Sequence, residues 1–82
     1  MATVIIYSTA RCPYCIRAKQ LLDNKNIEYT DIDVSEADAR AKMTALTAGV
    51  TVPQIVISGQ AIGGCDELYA LEFSRELDKL LV

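Results

Sequence analysis

The sequence contains no histidine and no tryptophan, only three cysteines, and no excess of lysine and arginine. A structural zinc ion usually requires four Cys or His ligands, which one such chain cannot supply. With a formal net charge of -3, there is no surplus of cationic side chains to displace counterions from a nucleic acid. We therefore predict no metal site and no nucleic-acid binding.

Long apolar runs are also missing. The run Val4-Ile5-Ile6-Tyr7 is far shorter than the roughly 18 residues that a membrane-spanning helix needs, and it lacks the basic flank of a secretory signal. We expect no membrane segment, a cytoplasmic location, and a single domain over residues 1–82. Structural disulfides are rare in the cytosol, so a cysteine there is more often catalytic.

Apolar periodicity and turn residues predict alternating strands and helices. Pro13 suits the first position of a helix, and Ser35 followed by Asp38 has the spacing of a capping box that begins another. Ser58-Gly59 is typical of a hairpin turn. The predicted strands span 4–7 and 28–34, with hairpin strands over 54–58 and 60–62. The predicted helices are one that begins at 13 and ends at Asn24 to Asn26, one over 35–49, and one or two at the C-terminus.

This order, β-α-β-α-β-β-α, predicts an α/β fold with a four-stranded mixed sheet flanked by helices. Its first βαβ unit should be right-handed. The charges of the second strand suit a sheet edge. The C-terminal helices should turn six apolar side chains inward, namely Leu68, Leu71, Phe73, Leu77, Leu80 and Leu81.

The segment Cys12-Pro13-Tyr14-Cys15 joins the first strand to the first helix. A C-x-x-C pair at such a junction is typical of a redox site. The attacking species in thiol chemistry is the thiolate, and a free cysteine with a pKa of about 8.5 is mostly protonated at neutral pH. Unpaired N–H groups and the dipole at the helix start stabilise an anion there. Positive charge on Arg11, Arg17 and Lys19 acts in the same direction.

Cys15 lies three residues further on, within the first turn, and should be more buried and farther from the helix end. This asymmetry predicts that Cys12 attacks and Cys15 resolves. Two inert core cysteines are the alternative. Tyr14, between the two sulfurs, is interpreted as an exposed ring that flanks the nucleophile.

Two further segments each have two interpretations at this point. Thr51-Val52-Pro53 is either an ordinary strand start or a loop whose unpaired backbone groups receive an extended substrate. In Gly63-Gly64-Cys65-Asp66, the N–H groups of the last two residues either hold a carboxylate or simply begin a helix. Cys65 itself is interpreted as a turn residue whose backbone matters, with regulatory oxidation as the alternative.

Together these segments resemble the glutaredoxin family over nearly the whole chain. The C-P-Y-C sequence at 12–15, the T-V-P sequence at 51–53 and the G-G-C-D sequence at 63–66 occur in the family's order and spacing. The short length is most similar to the small bacterial dithiol type called glutaredoxin three.

The resemblance implies a thioredoxin-like fold with a cis peptide bond before Pro53. It also implies a glutathione-dependent thiol–disulfide oxidoreductase, with glutathione as co-substrate and no tightly bound cofactor. Disulfide-bonded or glutathionylated proteins, such as ribonucleotide reductase, would be its partners, and it would act as a monomer. The implied glutathione contacts are Tyr14, Thr51, Val52, Pro53, Gly64, Cys65 and Asp66.

Two positions depart from the family pattern. Thr9 and Gly49-Val50 stand where many members carry cationic or amide side chains for the glycine carboxylate of glutathione. Arg11 or Lys19 would have to substitute, or that end of glutathione is held loosely. The competing hypothesis for the whole chain is a binding protein, in which Cys12 from two chains and glutathione hold a [2Fe–2S] cluster.

Overall fold

A computed structural model describes residues 2–81. Four strands and four helices follow one another along the chain. They are β1 (Val4–Ser8), α1 (Pro13–Asn24), β2 (Thr30–Asp33), α2 (Ala37–Thr47), β3 (Gln54–Ile57), β4 (Gln60–Gly63), α3 (Cys65–Phe73) and α4 (Leu77–Leu81).

The four strands form one mixed sheet in the order β2-β1-β3-β4. β1 is central: it pairs in parallel with β2 and antiparallel with β3, while β3 and β4 form an antiparallel hairpin. The charged strand β2 lies at the edge, where polar side chains discourage pairing with other chains. The predicted four-stranded mixed sheet is confirmed.

Successive side chains of β1 point to opposite faces of the sheet, so the core is divided into two layers. Val4 and Ile6 face α1, α3 and α4 in the larger cluster, whereas Ile5 and Tyr7 face α2 in the smaller one. Ile6 is fully buried between its two neighbouring strands and α1. The sheet is therefore covered on both faces, which explains why β1 is continuously apolar.

Ion pairs fasten the end of α1 to the C-terminal helices. The Lys25 ammonium group lies 2.9 Å from a Glu72 carboxylate oxygen and 2.8 Å from one of Asp78. Asn26, with φ of 58°, then turns the chain towards β2. The helix predicted from Pro13 is confirmed, and it ends at Asn24, within the predicted range.

Several predicted boundaries shift, most clearly those of the second strand and the second helix. The second strand spans only residues 30–33, because its pairing partners on β1 are residues 5–8. The second helix ends at Thr47 instead of Gly49, since Ala48 adopts a left-handed conformation with φ of 62°.

The predicted capping box at Ser35 is wrong. Glu36 precedes α2 and makes no side-chain cap. The Ser35 N–H and hydroxyl both donate instead to Asp33 Oδ1, at 2.7 and 2.6 Å. This turn around Asp33 occupies the groups that a capping serine would use.

The predicted inward position of Phe73 is also wrong. Its ring is 85% exposed at the end of α3, whereas Leu68, Leu77 and Leu81 are buried.

The hairpin turn is confirmed: Ser58 and Gly59 both have positive φ, at 51° and 82°, the geometry of a type I′ turn. No helix within residues 2–81 has the length and apolarity to span a bilayer.

Replacing Ile6 by alanine should lower the free energy of unfolding by about 2–5 kcal/mol, because it leaves a cavity in the larger core cluster. Phe73→Ala is the matched control and should change it by less than about 0.5 kcal/mol, because the ring lies in solvent. Urea denaturation followed by circular dichroism measures both. Comparable losses in the two variants would contradict the described packing.

Candidate active site

The Cys12 sulfur lies where β1 passes into α1. Cys12 is the N-cap of α1, with extended backbone angles, and Pro13 occupies the first helical position. Its Sγ accepts a hydrogen bond from the Cys15 N–H at 3.2 Å. Because this donor has no partner inside the helix, the sulfur satisfies it and receives the field of the helix start. A thiolate at this position would be stabilised by the same contact.

Cys15 occupies a very different environment from Cys12. Its side chain is fully buried, whereas Cys12 is partly exposed. Burial, followed by the hydrogen bond with Cys12, raises the pKa of Cys15 to about 12. The inner sulfur is therefore held as a thiol, and the outer sulfur is the one that solutes can reach.

The loop Thr51-Val52-Pro53 passes beside the outer sulfur. Its Val52–Pro53 peptide bond is cis, as the family resemblance implies. The Cys12 thiol donates to the Val52 carbonyl at 3.6 Å. The side chain of buried Gln54 stabilises the loop, because its Nε2 donates a hydrogen bond to the Thr51 carbonyl at 3.0 Å. The backbone of this loop therefore lies within reach of the Cys12 sulfur.

The glycine turn packs directly against that loop. Gly63 has φ of 121°, a conformation that side chains rarely adopt. A Cβ atom on Gly64 would lie 3.2 Å from the Pro53 carbonyl oxygen. Glu67 closes the turn by accepting the Gly64 N–H at 3.2 Å. The two glycines therefore permit the close approach of the start of α3 to the loop.

A cleft of about 390 Å³ lies between these segments. It brings together all seven residues that the resemblance implied as glutathione contacts, together with Glu67, which the sequence reasoning missed. The residues that line it are Tyr14, Thr51, Val52, Pro53, Gly64, Cys65, Asp66 and Glu67. The spacing of Glu67, three residues after a helix-capping glycine, was a signal that could have identified it.

A larger cleft of about 520 Å³ lies at the amino ends of β1 and β2, beside Val4 and Thr30. It is lined by no cysteine. Cys12 follows the carboxyl end of β1, the end at which open α/β sheets generally bind ligands. The smaller cleft is therefore the candidate active site.

The two cationic residues predicted to support the site do not line this cleft. Arg11 is exposed and takes no part in an ion pair within residues 2–81. The Lys19 ammonium group lies 2.6 Å from Asp31 Oδ2, which raises the pKa of Lys19. The electrostatic support that the sequence predicted from Arg11 and Lys19 therefore remains a prediction.

Arg40 is a cation that the sequence reasoning missed. It projects from α2, and its Nη2 donates to the Val50 carbonyl at 3.2 Å, directly before the Thr51-Val52-Pro53 loop. No local motif marks it, because only the packing of α2 against the sheet brings it there. Positive charge from Arg40 and negative charge from Asp66 thus flank the loop and the start of α3.

Cys65 begins α3 and lines the cleft, but its side chain is only 7% exposed. Burial raises its pKa, against the opposing charge of Arg17. The third sulfur is therefore a buried thiol in the cleft wall.

An accessible sulfur, a buried partner thiol and a peptide-sized cleft together suit thiol–disulfide exchange.

Comparisons with known proteins agree with this geometry. The family model described as Glutaredoxin matches residues 4–62. "Glutaredoxin 3" of Escherichia coli K12 is 46% identical over 82 residues, covering 99% of each chain. The solution structure of glutaredoxin from Brucella melitensis has a TM-score of 0.87 at 49% identity, covering 99% of this chain and 89% of that one.

A crystal structure of the buckwheat glutaredoxin–glutathione complex has a TM-score of 0.88 at 31% identity. The match covers 98% of this chain and 76% of that one. These matches confirm the thioredoxin-like fold implied by the resemblance.

Proposed function

This chain belongs to the glutaredoxin family of thiol–disulfide oxidoreductases, and on that basis we propose that it reduces glutathione mixed disulfides and protein disulfides with glutathione as co-substrate. The observation that carries the proposal is the position of the Cys12 sulfur. It sits at a helix start and 3.6 Å from the carbonyl of Val52, a residue that lines a cleft sized for a small peptide.

In the proposed deglutathionylation, the Cys12 thiolate attacks the glutathione sulfur of a mixed disulfide. A bond forms between Cys12 and glutathione, and the substrate protein leaves as a thiolate that takes a proton from solvent. The thiolate of a second glutathione then attacks the bound glutathione sulfur. Glutathione disulfide is released and Cys12 returns as a thiolate.

In the proposed reduction of a protein disulfide, Cys12 first forms a mixed disulfide with the substrate. Cys15 then attacks the Cys12 sulfur, which releases the second substrate thiol and leaves a disulfide between residues 12 and 15. Two glutathione molecules reduce that disulfide and leave as glutathione disulfide. Since Cys15 is buried beneath Cys12, only the first step requires contact between the substrate and an accessible sulfur.

The cleft suits the three parts of glutathione. The Val52 backbone beside Cys12 would pair with the central cysteine residue as an added strand would. The N–H groups that open α3 would hold the γ-glutamyl carboxylate, and Asp66 its ammonium group. Tyr14, 55% exposed at the rim, would flank the sulfur.

The glycine carboxylate of glutathione is the part for which the sequence alone offers no convincing partner. Arg40 supplies a guanidinium group beside Val50, where the family pattern is interrupted by Gly49-Val50. Guanidinium binds carboxylate through two parallel hydrogen bonds. Arg40, like Arg11 and Lys19, is not among the residues that line the cleft, but its hydrogen bond to Val50 places it next to the Thr51-Val52-Pro53 loop, and we therefore assign the glycine end to it.

Glutathione as reductant requires a compartment in which it is kept reduced, and we propose the cytosol. Disulfide-bonded and glutathionylated proteins, with ribonucleotide reductase among them, are the proposed substrates, and the protein is proposed to act as a monomer.

Cys15→Ser should retain deglutathionylation within about threefold and lose at least about 100-fold in reduction of a protein disulfide, because it removes only the resolving thiol. Cys12→Ser should lose both activities. Turnover of a glutathionylated peptide and of an intramolecular protein disulfide, each coupled to glutathione reductase and NADPH, measures the two reactions.

Turnover by Cys12→Ser would contradict the proposal. The competing cluster-carrier hypothesis is tested on the same preparation, because an anaerobically purified oxidoreductase monomer is colourless whereas a cluster-bridged dimer is brown.

Arg40→Gln should raise the KM for a glutathionylated peptide about 2- to 5-fold with little change in kcat, because a partly exposed ion pair contributes about 0.5–1 kcal/mol of binding. Lys42→Gln removes an exposed cation from the same helix and is the matched control. The difference between the variants should shrink at high ionic strength, where such charges are screened. Equal KM values for Arg40→Gln and Lys42→Gln would contradict the assignment of Arg40.

A further inference from the structure

A polar network joins α1 to the edge strand β2, where the Lys19 side chain is 25% exposed and the Asp31 side chain 41% exposed. Lys19 follows Cys15 by four residues, so the two side chains lie on the same side of the helix, one turn apart. The Lys19 ammonium group contacts Asp31 Oδ2 at 2.6 Å. Asp31 Oδ1 accepts a hydrogen bond from the hydroxyl of Ser8 at 2.5 Å, and Ser8 is itself only 2% exposed.

The sheet register explains why these groups meet. Asp31 pairs with Ile6 across the parallel strands, and Ile6 faces α1. Paired residues of adjacent strands project to the same face, so Asp31 points towards α1, whereas Ile32 joins the opposite cluster. A charged residue in an edge strand therefore fixes the position of a cation on the helix that carries both active-site cysteines.

The proposed resolving step suggests a function for the Lys19 ammonium group. Cys15 is fully buried and must become an anion to attack Cys12, and burial opposes that ionisation. The charged or titratable groups that face Cys15 are Cys12 and Lys19, both on α1. From the β2 side, Tyr29, Asp31 and Asp33 face Lys19. Lys19 is the one cation among these groups, and its charge favours the Cys15 thiolate.

We propose that Lys19 is a positioning residue for the resolving step, where its ammonium group stabilises the Cys15 thiolate and Asp31, anchored by Ser8, offsets part of that charge. The inference rests on the dithiol reaction proposed above. In that step Cys15 loses its proton to solvent and its thiolate attacks the Cys12 sulfur. The bond between Cys12 and the substrate breaks, and the substrate leaves as a thiolate that solvent protonates.

Two substitutions that break the same ion pair should act in opposite directions. Lys19→Met removes the favourable charge and should slow release of the substrate thiol by about 3- to 10-fold at neutral pH. Asp31→Asn removes the offsetting charge and should speed release by up to about threefold. Lys19→Arg keeps the charge and should restore the native rate.

The measurement is single-turnover release of a chromogenic thiol from a mixed disulfide preformed on Cys12, followed from neutral to alkaline pH. In Lys19→Met the rise of the rate with pH should move to higher pH, and in Asp31→Asn to lower pH. Lys25→Met, which breaks the ion pairs of Lys25 at the far end of α1, is the control and should leave release unchanged.

A purely structural ion pair would make both substitutions act in the same direction with no displacement of the pH profile, and that result would overturn the inference. Turnover of a glutathionylated peptide, which does not use Cys15, is measured in parallel. If it is normal while the release rates of Lys19→Met and Asp31→Asn coincide, only the role of Lys19 fails. If the native protein shows no such turnover, the proposed function fails as well.

Discussion

The hydrogen bond from the Cys15 N–H to the Cys12 sulfur is the interaction on which the rest of the site depends. It makes the outer sulfur the cap of α1, so the group that starts the helix is also the group that we propose to react. Pro13 contributes by occupying a position whose N–H would otherwise lack a partner. The central strand β1 holds this junction in place, because it is paired on both sides and covered on both faces.

From that junction the fold creates two environments for two cysteines only three residues apart. One sulfur is partly exposed and contacts the Val52 carbonyl of the cis-proline loop, and the other lies in the core. In the proposed reaction, buried Cys15 stays a thiol until Cys12 is engaged in a mixed disulfide, when the attack of Cys15 becomes intramolecular. On this proposal, one helix carries both the sulfur that attacks the substrate and the sulfur that releases it.

Much of this arrangement can be predicted from local sequence, and the errors have physical causes. The order of elements along the chain and the helix at Pro13 follow from periodicity and proline chemistry. The seven cleft residues follow from motifs whose spacing matches a family. The capping box failed because Asp33 binds Ser35 more directly, and Phe73 lies outside because α3 ends as its ring reaches solvent. Arg40 and the Lys19–Asp31 pair depend on packing between distant segments, which no local pattern encodes.

The most direct test of the central claim is the selectivity of alkylation. The reduced native protein is treated briefly with iodoacetamide at neutral pH, and the three cysteine peptides are quantified by mass spectrometry, with a urea-unfolded sample as reference. The account predicts modification of Cys12 alone in the native protein and of all three cysteines after unfolding. Equal or greater modification of Cys15 or Cys65 in the native protein would contradict it.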